Sequence, residues 1–241
     1  MIDPHLPLSF LGLFGDAINF ILHGQEAETG GIHVGGPQKM AELALTQLKV
    51  TGLAMGLSLV IAFPAGVLLG HYGRGELLAV GVGNVGRALP ELVIIAICAV
   101  TIGVGVLSVT VALTILAIPP ILTNTFVAMR QVDRGVVDAA RGMGMTSLEQ
   151  IVRVELPLGV PTIMGGIRTA TINVVATATI APLAGVLTLG DLIISRGANG
   201  DAGLVAAGIC VALLALMLEG LLAVLQRLLT SPGLKLARAT A

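Results

Sequence analysis

Five long apolar runs set the pattern of this chain, at roughly 50–70, 77–100, 104–127, 158–184 and 202–226. A polar island of twenty residues, Asp138 to Pro157, interrupts it between the third and fourth. Each run is close to the roughly 20 residues an α-helix needs to cross the hydrocarbon core of a bilayer. Inside a bilayer the backbone must satisfy its own hydrogen bonds, so only helices and closed barrels span it. Barrel strands alternate over about ten residues. These runs are apolar on every side and twice as long, so they predict helices. Pro64, Pro90, Pro119, Pro120, Pro161 and Pro182 do not argue against this, because proline and glycine are commoner in membrane helices than in soluble ones.

A shorter apolar stretch, 8–22, carries Asp16, Asn19 and His23 at helical spacing on one face. It reads either as a further span with its polar stripe against protein or as an amphipathic helix lying on the membrane. Residues 24–47, with Gly30-Gly31 and Gly35-Gly36-Pro37, read as a loop. The island reads as a short helix opened by Asp138, broken near Gly142 and Gly144, then a second helical stretch closed by Leu156-Pro157. The expected organisation is an N-terminal helix and external loop (1–47), a membrane domain (48–228) with a polar loop at 129–157, and a tail (229–241).

Composition supports a membrane protein. Hydrophobic residues make up 55% and charged residues 11%, against about 25% charged in a soluble domain. Five Phe, one Tyr and no Trp supply neither an interfacial aromatic belt nor stacking platforms for bases, which argues against nucleic-acid binding. Cys98 and Cys210 both sit in apolar runs and read as inert thiols, not a metal site or disulfide. None of the three lysines follows a glycine, so the chain has no phosphate-cradling Gly-x-x-x-x-Gly-Lys-Ser/Thr loop. No hydrolase or zinc motif is present, and no enzyme site is visible. The basic residues fix an expected orientation. With the island in the cytoplasm, Arg74, Arg130, Arg134, Arg141, Arg153, Arg227, Lys235 and Arg238 are cytoplasmic, against Lys39, Lys49 and Arg196 outside. That asymmetry follows the positive-inside rule.

Ionisable residues within spans are costly and point to function. Arg87 and Glu91, four apart, can pair on one helix face, or line a path in which Glu91 meets a cation. Arg168, eleven residues beyond Pro157, falls near mid-membrane, placed to meet a solute, line a path or bind the carbonyls of broken helices. Thr169, Asn173 and Thr177 form one stripe, while Thr171 and Thr179 point elsewhere. Either face suits a path or helix–helix packing. Glu219 reads as snorkelling to the interface or pairing with Arg227. The segment 185–201 reads as an external loop or short re-entrant helix.

Within the island, Asp138-Ala139-Ala140, three residues, Gly144, nine residues, then Val154-Glu155-Leu156-Pro157 resembles the EAA motif of ABC importer permeases, with Asp138 and Val154 in place of Glu and Ile. Gly142-Met143-Gly144-Met145-Thr146, Glu155-Leu156-Pro157-Leu158, the stretch Ile163 to Thr171 and Leu189-Gly190-Asp191 are similar to osmoprotectant permeases, importers of glycine betaine, carnitine or choline. Where such permeases often carry a Pro-Ser-Leu-like stretch, this chain has Pro90-Glu91-Leu92. The resemblance implies an all-α bundle of five core membrane helices with one extra N-terminal helix, in a bacterial inner membrane, the island and C-terminus cytoplasmic. It implies that Asp138, Ala139, Ala140, Gly144, Val154, Leu156 and Pro157 couple the permease to a separate ATP-binding subunit, ATP being bound there and not here. It also implies a second permease copy or paralogue, and an extracytoplasmic solute-binding protein that 185–201 contacts. Scarcity of aromatics fits selection by that binding protein, since quaternary ammonium groups are commonly held in aromatic cages.

Overall fold

The computed structural model describes residues 6–31 and 33–230. Most of the tail expected at 229–241 lies outside them, with Lys235 and Arg238. Helix α1 (Leu6–Leu22) leads through a small antiparallel hairpin, β1 (Gln25–Glu26) and β2 (His33–Val34), into α2 (Pro37–Tyr72). Next come α3 (Glu76–Ala88), α4 (Glu91–Ile102) and α5 (Val106–Arg130). The polar island holds α6 (Arg134–Gly142), α7 (Ser147–Gln150) and a π-helical turn (Ile151–Glu155), which runs directly into α8 (Leu156–Thr177). A 3-10 segment (Ala178–Ala184), the short α9 (Asp191–Ile194) and α10 (Arg196–Leu229), kinked at Gly200, follow.

The all-α membrane bundle is the fold found. Among the described residues, four helical stretches are long and apolar enough to cross a membrane: Pro37–Tyr72, Val106–Arg130, Ser147–Ala184 and Arg196–Leu229. The run 77–100 departs from expectation, being split into α3 and α4, of 13 and 12 residues. Pro90 is the cause. It has no N–H for the Gly86 carbonyl and drives Leu89 out of the helical region, and its own backbone is extended, starting α4 afresh. The expected loop at 24–47 is also shortened, because α2 begins at Pro37. Proline suits a first turn, where the missing N–H has no helical partner anyway. From there Met40, Leu43, Gln47 and Val50 are buried at helical spacing.

The core lies where α2, α4 and α8 pack on α5. Val50, Ala54, Ile95, Leu113, Ile121 and Val174 are buried together there. Gly66 and Gly70, one turn apart on α2, let its backbone rest on α5. A Cβ at Gly66 would lie 2.7 Å from the Thr125 Cβ, and one at Gly70 2.6 Å from the Met129 Cβ. Lipid is as apolar as leucine, so close packing of small residues, not exclusion from water, holds such helices together. Val60, Leu216 and Leu221 point outward and are highly exposed, a liability in water and a suitable face for lipid.

Helix α1 is part of the bundle. Its Ala17 and Phe20 are buried with Leu43, Leu189, Ala206 and Ala207. Of its polar stripe, Asp16 and Asn19 are exposed and line a polar cleft with Gln25, Glu28 and Asp201. Residues 185–201 form a packed turn and α9, with no long loop. Gln47 on α2 donates from Nε2 to the Val175 carbonyl (3.0 Å) and accepts from the Leu189 N–H (3.2 Å). The Thr188 hydroxyl donates to the Ala178 carbonyl (2.8 Å). Gly190 is pressed so closely on the Thr179 carbonyl that a Cβ has no room.

Candidate functional site

The polar island is built from back-to-back capping signals. Asp133 opens α6, its Oδ1 accepting the Gly135 N–H at 2.7 Å, as N-cap aspartates do. This corrects the expectation that Asp138 opens the helix: Asp138 lies in mid-helix, exposed, 3.9 Å from Arg141 one turn on, so the favourable interaction of an acid with a helix N-terminus falls to Asp133. Gly144 (φ 84°) ends α6. Its N–H bonds the Arg141 carbonyl (2.9 Å) and the Met145 N–H bonds the Ala140 carbonyl (3.2 Å), the paired pattern of a Schellman motif, in which the left-handed residue is usually glycine. Two residues later Thr146 starts α7 with a capping box: the Glu149 N–H bonds its hydroxyl, and Glu149 Oε2 accepts the Thr146 N–H at 2.9 Å. The Thr146 N–H, and then its hydroxyl, hold the Glu149 carboxyl below its ordinary range.

The second half of the island also differs from expectation. It does not close at Leu156-Pro157 but continues through the π turn into α8. The Leu156 N–H reaches back five residues to Ile151. Pro157 cannot donate to the Arg153 carbonyl, and the widened turn just before it absorbs that loss. Such turns are frequent at functional sites. Ala139 and Ala140 take opposite roles, since successive helical residues point about 100° apart: Ala140 is buried with Val137 in α6, which packs on α7 and the π turn, and Ala139 faces outward. Val154, Leu156 and Pro157 are half-buried at the membrane-facing end. Exposed beside the charges of the island stand Val136, Met143, Leu148 and Val152.

Between α3, α4, α5 and α8 lies a cavity of about 540 Å³, lined among others by Glu91, Thr123, Asn124, Thr169 and Asn173. Thr177 donates to Glu91 Oε2 at 2.6 Å. Asn124 Nδ2 donates to the Pro120 carbonyl at 2.8 Å. The stripe Thr169, Asn173, Thr177 thus meets the cavity or its acid. Thr171 is buried, bonded to the Ile167 carbonyl (2.9 Å), and does not line it. Arg87 and Glu91 do not share a helix, because α3 ends between them. The Arg87 side chain lies outside what is described.

Arg168 faces α10. Its Nε donates to Glu219 Oε1 at 2.8 Å, its Nη2 reaches the same oxygen, and its Nη1 donates to Gln226 Oε1 at 2.9 Å. Glu219 is therefore paired with Arg168, not with Arg227, which lies on its own helix. Arg168→Met should strand the Glu219 carboxylate in an apolar helix, a cost of about 2–3 kcal/mol, and lower the yield of folded protein in membranes severalfold. Arg168→Met with Glu219→Met should recover most of it. Equal yields for single and double variants, by detergent size-exclusion, would show that the pair is not structural.

The acid that sequence reasoning passed over is Glu155. It is 1% exposed, and its Oε2 lies 2.7 Å from His71 Nδ1 near the end of α2. An acid inside Val154-Glu155-Leu156-Pro157 signals a buried partner, but nothing local points to a histidine 84 positions away.

An apolar bundle with a rigid, doubly capped polar knob and a polar cavity among its helices defines a membrane transport subunit built to engage another protein. The chain belongs to the family of binding-protein-dependent transport system inner membrane components, whose model matches residues 62–231. It is the permease component of an ABC importer. It is 35% identical over 189 residues to the choline transport system permease protein OpuBB of Bacillus subtilis (78% of this chain, 87% of that one). It is 38% identical over 186 residues to the carnitine transport permease protein OpuCB of Listeria monocytogenes (77% and 85%). Its fold matches that of the inward-facing MetNI methionine ABC transporter, with a TM-score of 0.70 at 21% identity, covering 80% of this chain and 96% of that one. An amino acid ABC transporter structure matches at 0.62 and 18%, covering 94% and 99%. Permeases of this type work with an ATPase and a substrate-binding protein.

Proposed function

We propose that this permease imports quaternary-ammonium osmoprotectants such as glycine betaine, carnitine or choline. ATP hydrolysed by a separate subunit drives a pair of permeases, identical or paralogous, between outward and inward access. The observation that carries the coupling role is the apolar set Val136, Met143, Leu148 and Val152, exposed on a segment otherwise charged and rigidly capped. Such a patch outside the lipid-facing surface calls for a protein cover, and the cytoplasmic ATPase provides it. The basic-residue asymmetry supports placing the island and C-terminus in the cytoplasm. The turn at 185–201 then faces an extracytoplasmic binding protein. The solute class rests on the permeases similar in sequence, named for choline and carnitine, and on the cavity, where Glu91, Asn124, Thr169 and Asn173 offer an anion and polar groups to a quaternary ammonium group.

The test is uptake of labelled glycine betaine, carnitine and choline by cells lacking other osmoprotectant importers, with the chain co-expressed with its ATPase and binding protein. Uptake of at least one is expected. Glu91→Gln should weaken it roughly tenfold at subsaturating solute, the loss of about 1.4 kcal/mol of ion pairing. No uptake of any of the three by an assembled complex would sink the solute class. Unchanged uptake in Glu91→Gln would remove that residue from the path.

A further inference from the structure

We propose that α2 is a connecting rod between the coupling segment and the opposite face of the membrane, pinned at one end by His71–Glu155 and at the other by Gln47. This rests on the reading of residues 133–157 as the ATPase contact. Of the acidic residues among those described, Glu155 alone is buried. It closes the π turn that joins α7 to α8, so a push on the knob arrives at this residue. His71, second from the end of α2, has a side chain 6% exposed and lies edge-on to Tyr72. At 2.7 Å a proton must lie between the two groups. Elsewhere between α2 and the start of α8, Val67, Met129 and Ile151 with Phe63 and Leu156 form an apolar cluster, whose contacts can slide. The hydrogen bond is directional, and buried polar pairs fix one arrangement.

The other end is pinned with equal specificity. Gln47 is fully buried and uses both ends of its amide, donating to Val175 at the end of α8 and accepting from Leu189 in the turn that Gly190 locks in place. From Gln47 to His71 is about 36 Å of helix at 1.5 Å per residue, more than the hydrocarbon thickness of about 30 Å. One continuous helix, with Pro64 inside it, thus carries a directional contact to the ATPase-facing segment and another to the turn on the far side. Gly66 and Gly70 seat it on α5 without side chains between. A displacement of the knob therefore moves the far turn, and binding-protein contact at that turn is felt at the knob.

The experiment uses the complete complex in lipid nanodiscs, and reads ATP hydrolysis with and without solute-loaded binding protein. His71→Leu and Gln47→Leu are each expected to cut the stimulated rate fivefold or more towards the unstimulated one, with assembled complex within twofold of the parent. The double variant should be no worse than the weaker single, because two breaks in one rod act in series. Losses that multiply, or stimulation that persists in either single variant, would overturn the rod. His71→Asn, which keeps a donor near the position of Nδ1, should retain stimulation; its loss there, in assembled complex, would also overturn the proposal, and this variant decides if His71→Leu fails to assemble. Failure of the ATPase to co-purify with the parent permease would instead sink the reading of the segment itself.

Discussion

Gly190→Ala is expected to remove most of the folded permease from the membrane, although it adds a single methyl group. Gly190 has an ordinary helical backbone (φ −66°), so the demand is for space, not for conformational freedom. Its α-carbon is packed against the Thr179 carbonyl, and a Cβ falls inside that group. A clash with a side chain is relieved by rotation; this one, with backbone, is relieved only by moving the turn. Moving it breaks the Thr188 bond to Ala178 and the Leu189 bond to Gln47, and lifts buried Leu189 from α1 and α10. Overpacking usually costs about 1–3 kcal/mol; here the hydrogen bonds add roughly 1 kcal/mol each. That is a large share of a typical margin of about 5–15 kcal/mol. Detergent size-exclusion should show at least a fivefold loss of monodisperse protein. Gly197→Ala, where a Cβ meets nothing within 4 Å, should behave as the parent. Equal behaviour of the two variants would mean that the close approach does not exist in the membrane.

What the sequence makes legible follows from the range over which each force acts. Apolar runs betray membrane helices because lipid contact is decided residue by residue, and α5 and α10 sit where their runs predict. Local capping is also written in the chain. Gly144, Thr146 and Glu149 are recognisable signals within six residues, yet the sequence points to Asp138 as the start of α6 where Asp133 performs it. Both are aspartates ahead of helix-forming residues, and only the end of α5 decides between them. Pro90 carried the split of the second run in plain view, but proline is tolerated in membrane helices, as Pro64 and Pro161 show inside α2 and α8. Its effect is set by whether neighbours re-satisfy the freed carbonyl. Least legible were the partners of buried polar groups. Periodicity tells which face of a helix a residue occupies, and leaves open which helix meets that face. Glu155 with His71, Gln47 with Val175 and Arg168 with Glu219 are separated by 84, 128 and 51 positions.

Ala139→Arg should abolish uptake while leaving the permease folded, and Ala140→Arg should unfold the segment instead. The two alanines stand side by side in the motif, but Ala139 is exposed and Ala140 is 2% exposed, next to Val137. An arginine at 139 meets only solvent in the isolated permease, and surface changes of this kind usually stay within about 0.5 kcal/mol. In the proposed complex it would stand between the ATPase and the face that also carries Val136 and Met143. Forcing a large side chain into a packed contact typically costs about 1–3 kcal/mol, a loss of association of roughly five- to 150-fold. Asp138→Lys, on the same exposed face, should act in the same direction by reversing one charge. Gly144→Val reaches the same end by another route: its Cβ has open space, but a left-handed β-branched residue is strained by roughly 1–2 kcal/mol, so the angle between α6 and α7 changes while insertion persists. The measurement is co-purification of the ATPase alongside solute uptake. Loss of both with Ala139→Arg, in permease of parental thermal stability, places the contact on this face of α6; full uptake would show that the ATPase is engaged elsewhere and that the caps serve only to close the loop.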